Sequence, residues 1–192
     1  MTGNVQKLLV KLSNLNTINW FKKMIYTKSI TYTQLSKKII LDICKLKNEN
    51  WNYGIASNLK WFKKKVKKED IHNLLFFNKK LIGYTLLRKR LAFIKKKKIY
   101  YFYFDTLVIK KKFRKKNYSK ILMNTNSQVI VKKKLHSFLI CKKKVVKYYK
   151  KFGWVPINRK LFKLMDRKLS SNGMIFNYKL KLKNINFQYY RD

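Results

Sequence analysis

Between residues 72 and 109 the apolar side chains leave helical spacing for that of β-structure, and this change of period constrains the fold more than any other feature of the chain. Residues 72–77, the polar turn Asn78-Lys79-Lys80 and residues 81–88 read as a hairpin. Residues 99–109 follow as a third, longer strand rich in aromatic and β-branched side chains. The flanking segments read as helices. Residues 29–47 carry Leu35, Ile39, Ile43 and Leu46 at helical spacing, with Thr31 or Thr33 as a cap. Residues 57–66 set Leu59, Phe62 and Val66 on one side and lysine on the other, with Ser57 as N-cap. Residues 118–131 return to helix, with Tyr118, Ile121, Leu122, Thr125 and Val129 along one face. A buried strand at residues 137–141 precedes a helix at residues 145–152, stopped by Gly153 with Pro156 just beyond. Weaker strand patterns lie near residues 20–26, 154–164 and 174–181. The chain is therefore expected to be α/β.

At 192 residues the chain is long enough for one domain with a substantial core, and no linker or repeat divides it. Its 46% apolar content sets it apart from disordered sequences despite a formal charge of +42. No apolar run approaches the ~20 residues that span a bilayer, and Met1 is not followed by a signal-peptide pattern. Cys44 and Cys141 lack any paired spacing, which argues against a disulfide scaffold or a cysteine zinc site. A cytoplasmic protein without membrane contact is expected, as a monomer or homodimer.

A polycation attracts nucleic acid by releasing counterions. Here, however, only six of the 49 basic residues are Arg, the side chain that forks onto phosphates and reads bases. Lys, Asn, Ile, Phe, Tyr and Met supply 110 residues, whereas Gly, Ala, Arg and Pro supply 14, the division expected of an AT-rich genome. Such a bias places lysine on solvated positions whatever the function. The runs at residues 63–65, 95–98, 110–112, 132–134 and 142–144 punctuate apolar stretches as element ends would. No specific nucleic-acid partner is expected, and a basic nucleic-acid- or ribosome-binding protein without catalysis stands as the alternative.

The segment Arg114-Lys115-Lys116-Asn117-Tyr118-Ser119, leaving a long strand and entering a helix, resembles the Q/R-x-x-G-x-G/A signature of the GNAT superfamily of N-acetyltransferases. Asn117 stands where the family has Gly, and Ser119 where it has Gly or Ala. Upstream, Lys80-Leu81-Ile82-Gly83-Tyr84 resembles the family strand preceding the core. Downstream, residues 138–141 and Tyr148-Tyr149-Lys150-Lys151-Phe152-Gly153-Trp154 resemble its buried strand and its F-Y-x-x-x-G-F/W helix end. The three blocks stand in family order over about residues 70–157.

The resemblance implies a mixed, mostly antiparallel sheet of six to seven strands, splayed at its centre, with helices on both faces. Residues 1–70 would wall the acceptor, 71–157 would hold acetyl-CoA as co-substrate, and 158–192 would add strands. It also implies that Leu107, Val108 and Ile109 offer main chain to the pantetheine arm. The amides around Arg114, Lys115, Lys116, Asn117, Tyr118, Ser119 and Lys120 would ring the pyrophosphate, as a helix N-terminus favours an anion. Asn tolerates the left-handed region better than other non-glycine residues, and Ser is small.

Acetyl transfer needs a deprotonated amine and a protonated leaving thiolate. Asp105, set in an aromatic strand, is the candidate base, since a buried carboxylate holds a proton more tightly. Tyr149 matches the family tyrosine that sits beside the thioester sulfur and donates to it; Tyr148 reads as core. His72 and His136 are expected to be structural, Cys141 a core thiol, and no metal site is foreseen. The function expected is acetyl transfer from acetyl-CoA to a primary amine of a small molecule such as an amino sugar, by direct attack in a ternary complex.

Overall fold

The computed structural model describes residues 24–94, 96–165, 172–178 and 187–190. The strands are β1 (Ile25–Thr31), β2 (Ile71–Phe77), β3 (Lys80–Ile94), β4 (Lys97–Ile109), β5 (Ser137–Cys141), β6 (Val155–Ile157), β7 (Phe162–Leu164), β8 (Asn172–Phe176) and β9 (Phe187–Tyr189). Seven of them run in the order β1-β2-β3-β4-β5-β8-β6, while β9 pairs with the end of β3 and with β7. Among the described residues only β4–β5 and β7–β9 are parallel. Helices α1 (Lys37–Trp51) and α2 (Ile55–Lys65) cover one face; α3 (Tyr118–Lys132) and α4 (Val146–Lys150) cover the other. Among the described residues no helix is long and apolar enough to cross a membrane.

The core explains why both faces are covered. On one side Ile43, Leu46 and Phe62 of the helices bury against Leu74, Tyr84 and Leu86. On the other, Met123 and Ile130 of α3 meet Leu87, Phe104 and Leu139. Each such side chain contributes roughly 1.5–3 kcal/mol when fully buried. The lysine runs fall at element ends: residues 63–65 close α2, and 132–134 follow α3, where cations suit the helix dipole.

Several boundaries differ from the sequence reading. Thr31 does make a capping box with Gln34, but over a single 3-10 turn, because residues 25–31 are engaged in pairing with β2. The helix itself starts at Lys37, capped by Ser36, whose Oγ accepts from the Ile39 amide at 3.2 Å. The first strand is shifted to Ile25–Thr31, and residues 20–23 lie outside the described residues. Gly54, not Ser57, caps α2. The segment 145–152 is helical only over Val146–Lys150, after a 3-10 turn at Lys143–Val145. A 3-10 turn at Arg159–Leu161 breaks the segment 154–164 into β6 and β7; the strand read near residues 174–181 is found at Asn172–Phe176, and residues 179–181 lie outside the described residues.

The largest departure is the length of β3, which continues six residues past Arg88. Arg90 sits inside it, buried and bidentate on Asp70 at 2.6 and 3.1 Å. Asp70 also accepts from the Lys67 and Lys89 amides. A cation so matched is tolerated within a strand, where an unpaired one would end it. The extension supplies Ala92–Ile94, on which β9 pairs.

Candidate active site

β4 and β5 pair only at Phe102–Ser137 and Tyr103–Phe138, after which the strands part. β4 stays bonded to β3 as far as Ile109 opposite Gly83, so its other edge beyond Tyr103 faces a gap among the described residues. A β-bulge marks the divergence: Leu86 faces Thr106 and Leu87 faces Phe104, leaving Asp105 as the extra residue.

The gap opens into a cavity of about 450 Å³ lined by Leu107, Val108 and Ile109, by the loop residues Arg114, Lys115, Asn117, Tyr118 and Ser119, and by Tyr148 and Tyr149 of α4. Lys116 and Lys120, grouped with them in the sequence reading, are exposed and do not line it. Two loop residues have left-handed backbone, Lys115 at φ +62° and Asn117 at φ +59°. Asn117 thus adopts the conformation for which the family uses Gly; Lys115 does so without a sequence signal. Asn117 is the N-cap of α3 but makes no side-chain capping bond, and the first turn carries no acid. The Lys120 amide is met by the Asn117 carbonyl at 3.0 Å, but those of Tyr118 and Ser119 need an acceptor from elsewhere, at a helix end whose dipole favours an anion.

Arg114 braces this loop. Its Nε donates to the Ile109 carbonyl at 3.2 Å and its Nη2 to Asn50 Oδ1 on α1. The Lys110 amide bonds Ile82 O at 2.8 Å, tying the end of β4 to β3.

Tyr149 lies across the cavity from the loop, half-buried, with its ring edge-on to Phe104 at 6.0 Å. Burial, with smaller contributions from Cys141, Tyr148 and Tyr103, holds its phenol pKa well above the ordinary value, so the group stays a proton donor. Tyr148, read as core, lines the same cavity. Burial raises its pKa, and the Ser119 side chain offsets part of that rise. Adjacent tyrosines on a helix point about 100° apart, and α4 ends so close to the gap that both reach it.

Asp105 is not in this cavity. It lines a second one, of about 760 Å³, together with Lys47, Trp51, Trp61, Arg88 and Thr106. The apolar surroundings expected for it are absent, because the Arg88 guanidinium stands 2.9 Å away. The cavities adjoin along β4, with Asp105 and Thr106 in one and Leu107 next in the other, and along α1 at Lys47, Asn50 and Trp51. Trp51 and Trp61 belong to the segment 1–70 expected to wall the acceptor; Trp20 of the same segment lies outside the described residues.

His72 and His136 are buried among aromatic rings. His72 Nδ1 lies 2.8 Å from the Tyr84 hydroxyl and His136 Nε2 3.3 Å from that of Tyr189. Desolvation lowers their pKa values to about 3 and about 4. Burial raises the Cys44 and Cys141 thiols. Among the described residues no group of three His, Cys, Asp or Glu is gathered for a metal.

Solved structures share this fold. Escherichia coli ElaA matches at 14% identity and TM-score 0.60, over 79% of this chain and 99% of that one. The PaiA N-acetyltransferase of Thermoplasma acidophilum, in complex with coenzyme A, matches at 18% and 0.53, over 81% and 99%. An aminoglycoside 6'-N-acetyltransferase complexed with coenzyme A matches at 11% and 0.57, over 78% and 96%. No curated protein matches the chain in sequence. These likenesses carry the fold. The sequence model described as Acetyltransferase (GNAT) domain matches residues 29–163, most of the chain, which therefore belongs to the GNAT acetyltransferase family.

Proposed function

We propose that the chain transfers an acetyl group from acetyl-CoA to a primary amine of a small molecule such as an amino sugar, by direct attack with both substrates bound. In this reading the chain works as one domain, with residues 1–70 beside the acceptor, 71–157 holding acetyl-CoA and 158–192 completing the sheet. The observation that carries it is the uncapped N-terminus of α3 and its two left-handed residues, sharing one cavity with the protonated Tyr149. Coenzyme A in two of the similar structures, one named for an aminoglycoside acceptor, supports it.

Acetyl-CoA supplies an activated thioester. The amides from Lys115 to Ser119 hold its pyrophosphate, and the open edge of β4 beyond Tyr103 pairs with the pantetheine amides as an added strand would. Asp105 at the bulge and Tyr149 on α4 then handle the two protons. Asp105 takes the amine proton, directly or through water, as the nitrogen–carbon bond forms, and Tyr149 gives its proton to sulfur as the carbon–sulfur bond breaks. The lysine runs at residues 96–98 and 132–134 lie at one end of the parallel β4–β5 pair, and those at 110–112 and 142–144 at the other. Such a division splits these runs between two ends instead of gathering them in one basic track. The test is thiol release from acetyl-CoA over a panel of primary amines. Release above hydrolysis with at least one amine supports the reading, and none with any of them contradicts it.

A further inference from the structure

The cavity that holds Asp105 has a charge pattern that names the chemistry of its occupant. We propose that it binds an amphoteric acceptor, with a primary amine at Asp105 and an anionic group, carboxylate or phosphate, at Lys47. This rests on the acetyl-transfer reading and extends it by assigning the acceptor class.

Lys47 is the anomaly. A lysine is seldom buried without a partner, yet Lys47 on α1 is 8% exposed. Its Nζ lies 3.6 Å from the centroid of the Trp61 ring, and among the described residues no carboxylate stands within ion-pair distance of it. Asp105, the acid whose field reaches it, is bonded to Arg88, whose Nη2 also donates to the Lys65 carbonyl at 3.2 Å. Among the described residues, Lys47 thus lines the cavity beside the Asp105–Arg88 pair with no carboxylate of its own. Desolvation lowers the Lys47 pKa, a cost that an anion beside the ammonium would remove.

The walls suit a compact ring. Trp51, Tyr53 and Trp61 present aromatic surface, with Trp51 and Tyr53 exposed at the mouth. Asp105 lies where the strand passes from one cavity to the other, since Leu107, two residues along β4, already lines the cofactor cavity. An amine held by Asp105 is therefore directed toward the strand edge, while the anion is met by Lys47 on α1. A polycationic acceptor would instead set a second cation against Lys47.

The test compares matched acceptors at saturating acetyl-CoA: an aminohexose against its 6-phosphate, β-alanine against its amide, and spermidine as a polycation. We expect kcat/KM for an anion-bearing member to exceed that of its neutral partner by about ten- to a hundredfold, as for a hydrogen bond to a charged group. The pair that shows the difference tells phosphate from carboxylate. Lys47→Met should collapse the ratio through KM, and Lys47→Arg should retain most of it; stabilisation by acetyl-CoA reports that each variant folds. Tryptophan fluorescence titrated with the aminohexose phosphate, in protein with and without Trp61→Phe, reads anion binding without turnover. Equal rates within both pairs, a preference for spermidine, or an unchanged ratio in Lys47→Met overturns the proposal and leaves acetyl transfer standing. If no amine is turned over, acetyl transfer falls, and the titration alone decides: a response to the phosphate sugar but not to the free sugar supports the anion site, and no response overturns it.

Discussion

Gly83 lies opposite Ile109 in the β3–β4 register, and a Cβ on Gly83 would stand 2.7 Å from Ile109 Cδ1 and 3.0 Å from Leu122 Cδ1. The lack of a side chain there lets α3 approach the sheet at the point where β4 delivers the loop. Gly83→Val should therefore cost about 1–3 kcal/mol, the usual range for overpacking, and weaken acetyl-CoA binding as well. Urea denaturation with a cofactor titration checks both. Unchanged stability would mean that α3 has room to retreat.

The loop allows a steric prediction. Asn117 is already left-handed at φ +59°, so Asn117→Gly should leave cofactor affinity equal or improved, by up to about 1 kcal/mol. Ser119→Val, adding a branched side chain beside Tyr148 in the cavity, should weaken it at least severalfold. Calorimetric titration of both variants with acetyl-CoA decides. If Ser119→Val bound as tightly as the parent, the pyrophosphate would lie elsewhere.

Tyr149→Phe keeps the edge-on packing against Phe104 and removes only the donor. We expect kcat to fall about ten- to a hundredfold with acetyl-CoA affinity unchanged. Asp105→Asn should depress the rate most where the amine is protonated and recover in part at high pH. A loss by the same factor at every pH would assign Asp105 to holding Arg88 instead.

The buried histidines fix a pH dependence. In the folded chain their pKa values are lowered from 6.5 to about 3 and about 4. Below about pH 6.5 the unfolded chain binds protons that the folded one refuses, so stability rises with pH there and is lost on acidification. Each histidine contributes a slope that approaches about 1.4 kcal/mol per pH unit about one unit below 6.5. Urea denaturation between pH 6.5 and 5 should show this slope, and His72→Gln should halve it. A flat profile in that window would place the histidines in contact with water.

Much of this was legible in the sequence because local pattern and tertiary demand agree. The buried strand Ser137–Cys141 and the start of α3 at Tyr118 were read to the residue. The strand–helix corner with Asn117 was read as well, since its left-handed requirement shows in residue type. Failures came where a distant partner overrode local chemistry. The strand reads as ending at Arg88, short of Arg90, until Asp70, 20 residues from Arg90, pairs with it. Thr31 reads as a helix cap until β2 pairs with its strand. Lys47 was invisible for a different reason: among 43 lysines, nothing local marks the one that a tryptophan covers.

The most direct measurement is thermal unfolding with and without acetyl-CoA. A ligand bound only by the folded state at a hundredfold excess over Kd stabilises it by about 2.7 kcal/mol, which for a chain of this size raises Tm by about 5 to 10 °C. We expect that rise with acetyl-CoA, and a clearly smaller one in Ser119→Val. No shift at millimolar acetyl-CoA would contradict the assignment of the β4–α3 cavity to the cofactor.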